Sequence, residues 1–345
     1  MRQFEDLSRQ GRIRRIRGIA RAALDAYGLS DARLTFLEQA GNTLFLVNEP
    51  DPVPTGKPDL YKAGQYVLRV HQPGYQTPDA IELELTWLSA MCREAGLPVP
   101  EPIPTLEGKW LARMSVPGVP GERLCSLQRW IKGRFTNRAA PHHYQAQGRL
   151  MARLHEFAAG WPVPAGFTKR KYDWEGLFQD DLGEGISARE AWGLLPTEYV
   201  ATYERVAARV KPVMEDLGKG SEVYGLIHAD LGQDANVLFW RGEARAIDFD
   251  DSGFGYYLYD LSLALEHCQE DEALPDFRDA LLEGYTRVRP IPENQLAHLD
   301  LFLAAYYVYL SLWAVTAIQR YPKHKDELLR RIERAFRLVQ RYAAS

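Results

Sequence analysis

The chain has 345 residues and a formal net charge of −4, from 42 lysines and arginines against 46 aspartates and glutamates. This length predicts about two domains or one large two-lobed domain. Hydrophobic residues make up 46% of the sequence and charged residues 26%, which excludes a disordered or collagen-like protein. The balanced charge gives no reason to expect binding to nucleic acid or to an anionic membrane. The three cysteines lack C-x-x-C spacing, so we expect neither disulfides nor a zinc site, and a reducing cytoplasmic location fits best.

Two segments have features of targeting or membrane signals. Seven arginines occur in the first 21 residues, but no apolar segment follows them, so an amphipathic surface helix is the better interpretation. The stretch Leu301 to Gln319 contains no formal charge and reaches the nominal length of a membrane span. Three tyrosines in it lower its hydropathy, so we expect a helix buried in a large lobe, with no membrane partner.

The first part of the chain is rich in strand patterns. In chain order, the predicted elements are a helix over 4–27, two strands within 34–47 joined by a turn at Gly41 and Asn42, a strand over 65–70, a helix over 77–95, and short strands around 109–114 and 124–131. This part predicts a mixed β lobe over residues 1–127, followed by a short hinge over 128–133.

The remainder, residues 134–345, has mainly helical periodicity. The predicted helices are 143–158, 196–217, 259–268, 276–285, the uncharged segment 301–319, and 325–342. A β-rich island over 223–253 interrupts them. The sequence therefore predicts an α+β fold with a small N-terminal β lobe and a larger, mainly helical C-terminal lobe.

The acidic residues of the island are the strongest functional signal. His228 and Asp230 directly follow an apolar strand, Asn236 enters the next apolar run, and Asp248 and Asp250 end a third. Strand interiors reject carboxylates, so acids at strand ends that face a common cleft are candidate site residues. Phosphoryl transfer to an alcohol needs such a set, with one carboxylate to accept the hydroxyl proton and Asn and Asp oxygens to hold Mg²⁺.

These motifs resemble the aminoglycoside phosphotransferase and choline kinase group of protein-kinase-like enzymes, including its homoserine-kinase-like branch. The resemblance rests on HADLGQDAN followed by IDF, on QGRLMARLH before them, and on YVLRVHQPG, ELELTWL, LQRWIKG and DSGFGYYLYDLSLAL elsewhere. It implies a two-lobed protein-kinase-like fold with ATP between the lobes, Mg²⁺ as a cofactor, and transfer of the γ-phosphate to a hydroxyl group.

By position in the motif, the resemblance implies that Asp230 is the catalytic base and that Asn236 and Asp248 bind Mg²⁺. The alternative is that both aspartates only cap turns. Asn236 stands six positions after Asp230, whereas the family usually has five. A bulge around Gly232 would bring Asn236 into place. Without one, Asp234 would be the nearest substitute ligand.

The resemblance also indicates nucleotide-binding residues in the first lobe. Arg69 stands at the position of the usual phosphate-binding lysine, and either Glu84 or Glu82 would pair with it. Lys57 or Lys62 could instead supply the cation. The turn at Gly41 and Asn42 would cover the phosphates or be an ordinary tight hairpin. The backbone around Arg129, Trp130 and Ile131 would contact the adenine.

The nature of the acceptor stays open. The chain passes quickly from Asp251 into the segment YDLS and has no A-P-E element, which favours a small hydroxylated molecule, such as an amino alcohol or aminoglycoside, over a protein. A stress-response type of protein Ser/Thr kinase and a silent nucleotide-binding scaffold are the alternatives. Glu266 and its acidic neighbours fit a cationic acceptor or a solvated helix end. We expect His228 to hold the loop of Asp230, and Asp260 to cap a helix or brace that loop.

Overall fold

The computed structural model describes residues 3–52, 56–180, 182, 186–232 and 235–343. The chain divides into two compact units, Met1–Gly133 and Arg134–Ser345. The helices are α1 (Arg9–Ala26), α2 (Pro78–Glu94), α3 (Pro141–Gly160), α4 (Trp174–Phe178), α5 (Ala188–Ala191), α6 (Thr197–Leu217), α7 (Tyr257–Leu263), α8 (Leu274–Thr286), α9 (Glu293–Leu296), α10 (Leu299–Arg320) and α11 (Lys325–Ala343). The strands are β1 (Arg33–Ala40), β2 (Asn42–Asn48), β3 (Tyr61–Val70), β4 (Pro102–Ile103), β5 (Ala112–Met114), β6 (Arg123–Ile131), β7 (Lys171–Tyr172), β8 (Tyr224–Ile227), β9 (Val237–Trp240), β10 (Glu243–Ala246) and β11 (Gly253–Tyr256).

The first unit is built on an antiparallel sheet in the order β1-β2-β3-β6-β4, with β5 also paired to β6. Side chains alternate along β3, so Leu68 and Val70 join the apolar core that contains residues of α1. Arg69, between them, belongs to the opposite face and meets Glu84 of α2. Helices α1 and α2 therefore serve opposite faces of this sheet.

The turn between β1 and β2 is tight, because Ala40 pairs with Asn42 across Gly41. Gly41 has φ +83°, a left-handed conformation that glycine adopts without strain. The strands and turn predicted within 34–47 are thus confirmed. The predicted hinge residues 128–133 lie at the end of the first unit, and 128–131 continue strand β6.

The second unit has α10 at its centre, packed against α6, α7 and α11. The helical stretch Glu293–Arg320 is long and apolar enough to cross a membrane, but 72% of its most apolar window is buried inside the structure. Tyr307 of this stretch donates to the carbonyl oxygen of Glu266 at 3.3 Å, and Tyr203 of α6 hydrogen-bonds Ser311 of α10 at 2.8 Å. This burial favours the predicted core helix over a membrane span.

Helices α3 and α8 of the second unit approach each other closely at two glycines. A Cβ added to Gly148 would lie 2.1 Å from the carbonyl oxygen of Leu281, and one added to Gly284 would lie 2.0 Å from that of Gln145. Real Cβ atoms do not approach backbone oxygens so closely, so each helix needs a glycine where it crosses the other.

We predict that Gly148→Ala destabilises the protein by about 3 kcal/mol, because the new methyl group must push two helix backbones apart. Gly160, at the end of the same helix, has nothing within 4 Å of an added Cβ. Gly160→Ala should therefore leave stability unchanged or raise it by about 0.5 kcal/mol. Urea unfolding of both variants measures the difference, and equal stabilities would show that the helices do not pack as described.

Candidate active site

The loop His228–Asp230, called the HAD loop below, follows strand β8 and has a strained backbone. Ala229 has φ +64°, a conformation that costs free energy for a residue with a side chain. The buried carboxylate of Asp260 offsets this cost. It accepts hydrogen bonds from the backbone N–H of Ala229 at 2.7 Å and of His228 at 3.3 Å. The sequence left open whether Asp260 caps a helix or braces this loop, and these contacts identify it as a brace.

Asp260 is itself held by His155 of helix α3, and His155 is held in turn by helix α8. His155 of α3 contacts Asp260 through Nε2 at 2.8 Å and the hydroxyl of Tyr285 of α8 through Nδ1 at 2.8 Å. His155 and Asp260 are fully buried. Burial by itself raises the pKa of Asp260, but the hydrogen bond and charge of His155, with the N–H of Ala229, hold that pKa below its usual value. Asp260 is therefore an ionised acceptor for the backbone of the HAD loop.

His228 connects the HAD loop to the segment that carries Asp248. Its Nε2 lies 3.0 Å from the carbonyl oxygen of Ile247, so Nε2 carries the proton and donates. Its Nδ1 then accepts from the backbone N–H of Asp230 at 3.3 Å. The ring packs on Phe249 with a centroid distance of 4.4 Å. These contacts match the loop-holding role predicted for His228.

Asp230 and Asn236 come together despite their unusual spacing. The backbone N–H of Asn236 bonds to the carbonyl oxygen of Gly232 at 3.0 Å. The amide group of Asn236 donates to the carboxylate of Asp230 and to its backbone oxygen, both at 2.8 Å. The sequence made the position of Asn236 depend on a bulge around Gly232, and the hydrogen bond of Asn236 leads back to that glycine. The alternative, Asp234, lies outside the described residues.

The carboxylate of Asp230 reaches solvent but has a negatively charged environment. Loss of hydration, followed by the charges of Asp251 and Asp248, raises the pKa of Asp230 to about 8. Asp248 therefore lies close enough to Asp230 to act on it through its charge, although the two are distant in the sequence. Carboxylates gathered in this way repel one another, and a divalent cation would relieve that repulsion.

A brace missed by the sequence analysis fixes the turn after Asp248. The hydroxyl of Ser252 donates to the carbonyl oxygen of Phe249 at 2.6 Å, and Lys169 donates to the same hydroxyl at 2.6 Å. Tyr172 donates to the carbonyl oxygen of Asp251, also at 2.6 Å. Tyr172 lies in β7, a strand of two residues, which is too short for a periodic pattern to predict.

The donor set fits a hard divalent cation. Asp248 offers a carboxylate, and Asn236 has a carbonyl oxygen beside the amide nitrogen that binds Asp230. Such oxygens suit Mg²⁺, which usually takes one or two protein ligands and completes its shell with phosphate oxygens and water. No group of three or more His, Cys, Asp and Glu in the described residues could hold a metal alone. Oxygen donors of the kind that Asp248 and Asn236 offer suit a cation that arrives with phosphates.

In the first unit, Arg69 pairs with Glu84, one of the two partners considered from the sequence. Arg69 Nη1 lies 3.2 Å from Glu84 Oε1, and the two side chains are 8% and 1% exposed. Lys57, a predicted alternative cation, instead donates to the carbonyl oxygen of Cys92 at 2.8 Å near the end of α2. Lys62, the other, is exposed. Of the three candidate cations, Arg69 is therefore the one that an ion pair with Glu84 holds in position.

The other predicted nucleotide-binding residues also lie in the first unit. Asn42 is buried, and its side-chain oxygen accepts from the backbone N–H of Gln72 at 2.9 Å, which ties the β1–β2 turn to the end of β3. The backbone N–H of Arg129 is already donated to the carbonyl oxygen of Glu101 at 2.9 Å. Any contact of that residue with an adenine must therefore use other atoms. Trp130 is half-buried and Ile131 is buried.

Similarity to known proteins shows the family of the chain. The chain matches the model of the phosphotransferase enzyme family over residues 59–293, and it belongs to that family. It is 24% identical to the amicoumacin kinase of Bacillus subtilis over 69% of this chain and 64% of that one. It is 28% identical to a homoserine kinase of Parvibaculum lavamentivorans over 60% of each chain. The chain thus spans less than two thirds of the length of these relatives.

Solved structures agree with this assignment. A microcompartment-associated aminopropanol kinase superposes with a TM-score of 0.78 at 28% identity, covering 95% of this chain and 97% of that one. An amicoumacin kinase in complex with AMP-PNP and Ca²⁺ has a TM-score of 0.71 at 20% identity over 93% and 92% of the two chains, which shows the common fold. The predicted family, α+β protein-kinase-like fold and phosphotransferase class are confirmed.

The first prediction from this site concerns the buried ion pair. Arg69→Met should destabilise the protein by about 3–5 kcal/mol, because it leaves the charge of Glu84 buried without its cation. The double variant Arg69→Met, Glu84→Leu should recover most of that loss, since both charges are removed. Denaturant unfolding of the single and double variants tests this. A double variant no more stable than Arg69→Met would show that the two charges are not coupled.

The second prediction concerns Asp260. Asp260→Asn keeps the shape of the side chain but replaces one acceptor oxygen by a donor, so a hydrogen bond to the HAD loop or to His155 is lost. We expect stability to fall by about 1–3 kcal/mol. Turnover should fall by about 10²-fold because Asp230 is displaced. The KM for nucleotide should change little. Unchanged turnover in a folded Asp260→Asn protein would contradict the bracing role.

Proposed function

We propose that the protein transfers the γ-phosphate of ATP, with Mg²⁺, to the hydroxyl group of a small amino alcohol. The observation that carries this proposal is the placement of Asp230. It bonds to Asn236 and lies within electrostatic range of Asp248, on a loop that Asp260 holds in a strained conformation. This arrangement provides a proton acceptor next to oxygen donors for a metal, as phosphoryl transfer to an alcohol requires.

Asp230 orients the acceptor hydroxyl and takes its proton as the oxygen bonds to the γ-phosphorus, while the bond from that phosphorus to the β-phosphate oxygen breaks and ADP leaves. Mg²⁺ held by Asp248 would offset the negative charge that raises the pKa of Asp230, so that the carboxylate would be ionised and able to accept the proton. The amide of Asn236 fixes the carboxylate by donating to it. Asn236 and Asp248 would hold Mg²⁺, which supplies neutralisation of charge on the phosphates when it is bound. Catalysis then rests mainly on positioning and on charge.

Residues of the first unit would bind the nucleotide. Arg69 would bind phosphate oxygens, since a guanidinium stays charged and can form two parallel hydrogen bonds to them. Glu84 holds it by an ion pair of 3.2 Å. The turn at Gly41 and Asn42 would cover the phosphates with backbone N–H groups. The strand end at Arg129, Trp130 and Ile131 would contact the base.

The surroundings of Asp230 favour a small acceptor that carries a positive charge. Asp251 and Asp248 act on Asp230 through their negative charges. Glu266, whose charge acts on the nearby Tyr306, is already paired with Arg334 and His267, and Asp251 lies 3.7 Å from Arg170. An ammonium group is attracted to such a site. The aminopropanol and homoserine kinases similar to this chain act, by their names, on molecules with a hydroxyl and an amino group.

The segment after Asp248 also argues against a protein acceptor. Strand β11 begins at Gly253 and helix α7 follows at Tyr257. So short a connection leaves no room for the activation segment with which protein kinases bind and orient a peptide.

Two carboxylate variants test the assigned chemistry. We predict that Asp230→Asn lowers kcat by about 10²–10⁴-fold while nucleotide binding is retained. Asp248→Asn should weaken binding of the Mg²⁺ nucleotide complex but not of metal-free nucleotide. Glu243→Gln, an exposed carboxylate change on β10 of the same island, is the matched control and should leave both unchanged. Full turnover in Asp230→Asn would overturn the assignment of the base.

An acceptor screen tests the substrate class. We expect 1-amino-2-propanol to be phosphorylated with a kcat/KM about 10²-fold above that of 1,2-propanediol, a neutral molecule of the same size, because the negative surroundings of Asp230 favour an ammonium group. Ethanolamine, homoserine and casein complete the panel, with ADP release and labelled phosphate as readouts. Equal use of the amine and the diol, or transfer to casein alone, would refute the proposal. ATP binding that does not respond to Mg²⁺ and leads to no transfer would indicate a silent scaffold.

A further inference from the structure

A cavity of about 250 Å³ lies in the second unit, at the end of β8 opposite to the HAD loop. Its lining includes Val223, directly before β8, and Tyr257, at the start of α7. Strand β8 ends at Ile227, and the HAD loop begins at the next residue. At about 3.3 Å per residue, some 16 Å separate Val223 from His228. The cavity is therefore distinct from the site of Asp230.

Arg289 provides a positive charge in this cavity without a carboxylate partner. The guanidinium is half-buried, donates to the backbone oxygen of Glu222 at 2.8 Å and lies over the ring of Tyr257 at 4.7 Å. Within the part of the chain that the structure describes, no carboxylate stands at salt-bridge distance from it. The other charged residue of the lining, Glu222, has an exposed side chain. A half-buried cation of this kind gains from an anionic ligand.

The rest of the lining is mostly apolar. Tyr256, Tyr257 and Tyr285 border the cavity with rings that are at most 4% exposed, and Ile291 lies between two prolines. A dry cavity of about 150 Å³ is large enough to hold benzene, so this one has room for one ring with a charged substituent. We propose that the cavity is a binding site for a small organic anion with a planar apolar body, whose negative group pairs with Arg289.

Occupation of this site would act on the HAD loop through direct contacts. The ring of Tyr257 stacks on His155 with a centroid distance of 4.6 Å, and the hydroxyl of Tyr285 binds Nδ1 of His155 at 2.8 Å. His155 in turn binds Asp260, which holds the backbone of Ala229. A ligand that restrains the two tyrosines restrains the brace of the HAD loop, so the proposed site is also a regulatory one.

Calorimetric titration of the full chain with four probes of similar size tests the site. Benzoate and phenyl phosphate carry the negative charge, benzamide is neutral, and benzylamine is positive. We expect saturable binding of the two anions, unaffected by saturating AMP-PNP, and about tenfold weaker binding of benzamide. Absence of anion binding, preference for benzylamine, or displacement by AMP-PNP would each overturn the proposal.

Three variants locate the binding. Arg289→Gln should weaken anion binding at least about tenfold. Arg287→Gln, an exposed arginine two residues away that pairs with Glu283, is the matched control and should bind as the unmodified protein does. Gln295→Trp fills the cavity while leaving Arg289 in place, and it should also abolish binding. This second variant keeps the site testable if Arg289→Gln does not fold. Unchanged affinity in Gln295→Trp would place the binding elsewhere.

Hydrogen exchange tests the connection to the HAD loop. The backbone N–H groups of His228 and Ala229 bond to Asp260, and they should exchange more slowly when phenyl phosphate is bound. Binding without any change in their exchange would overturn the regulatory link. These measurements do not depend on phosphoryl transfer, so failure of the proposed enzymatic function would leave their result valid.

Discussion

The hydrogen bonds from Ala229 and His228 to the buried carboxylate of Asp260 are the interaction on which the rest of the site depends. Ala229 adopts a left-handed conformation that its own side chain disfavours. A free chain would relax out of it, and Asp230 would then lose its position. Asp260 can supply this restraint only while it is ionised, and burial opposes ionisation. The hydrogen bond from His155 therefore contributes to the restraint of the HAD loop, since it helps to keep the carboxylate of Asp260 ionised.

The close packing of helices α3 and α8 in the second unit determines the position of His155. This residue lies on α3 but binds Tyr285 of α8, so the two helices must approach closely. Gly148 and Gly284 allow that approach, because any side chain there would strike the opposite backbone. This pair of glycines thus helps to set the position of His155, which braces the loop of Asp230 through Asp260. Tyr257 then closes one side of His155 by stacking on it.

The sequence predicted those features that depend on local pattern. Long amphipathic helices and the β1–β2 hairpin follow from periodicity and from Gly41, and the acids of the island follow from their place at strand ends. The role of Asp260 could not be settled in this way. Its partner His155 stands 105 positions earlier in the chain, and no spacing rule connects the two. The same holds for Lys169, which lies 83 positions from the Ser252 it contacts.

Arg69 and the six-residue spacing from Asp230 to Asn236 are the two features that would fit a silent scaffold, and the environment of Arg69 argues against one. Arg69 and Glu84 are almost completely buried, and each must give up its hydration to form their ion pair. Well-packed apolar residues in their place are often as stabilising or more so. A chain that no longer bound nucleotide would gain nothing from keeping these charges. A fixed guanidinium also keeps its charge at every physiological pH and presents several donors in one plane, so the change from lysine is compatible with holding phosphates. The buried pair therefore supports a nucleotide-binding role for the first unit, beside the assignment of Asp230 in the second.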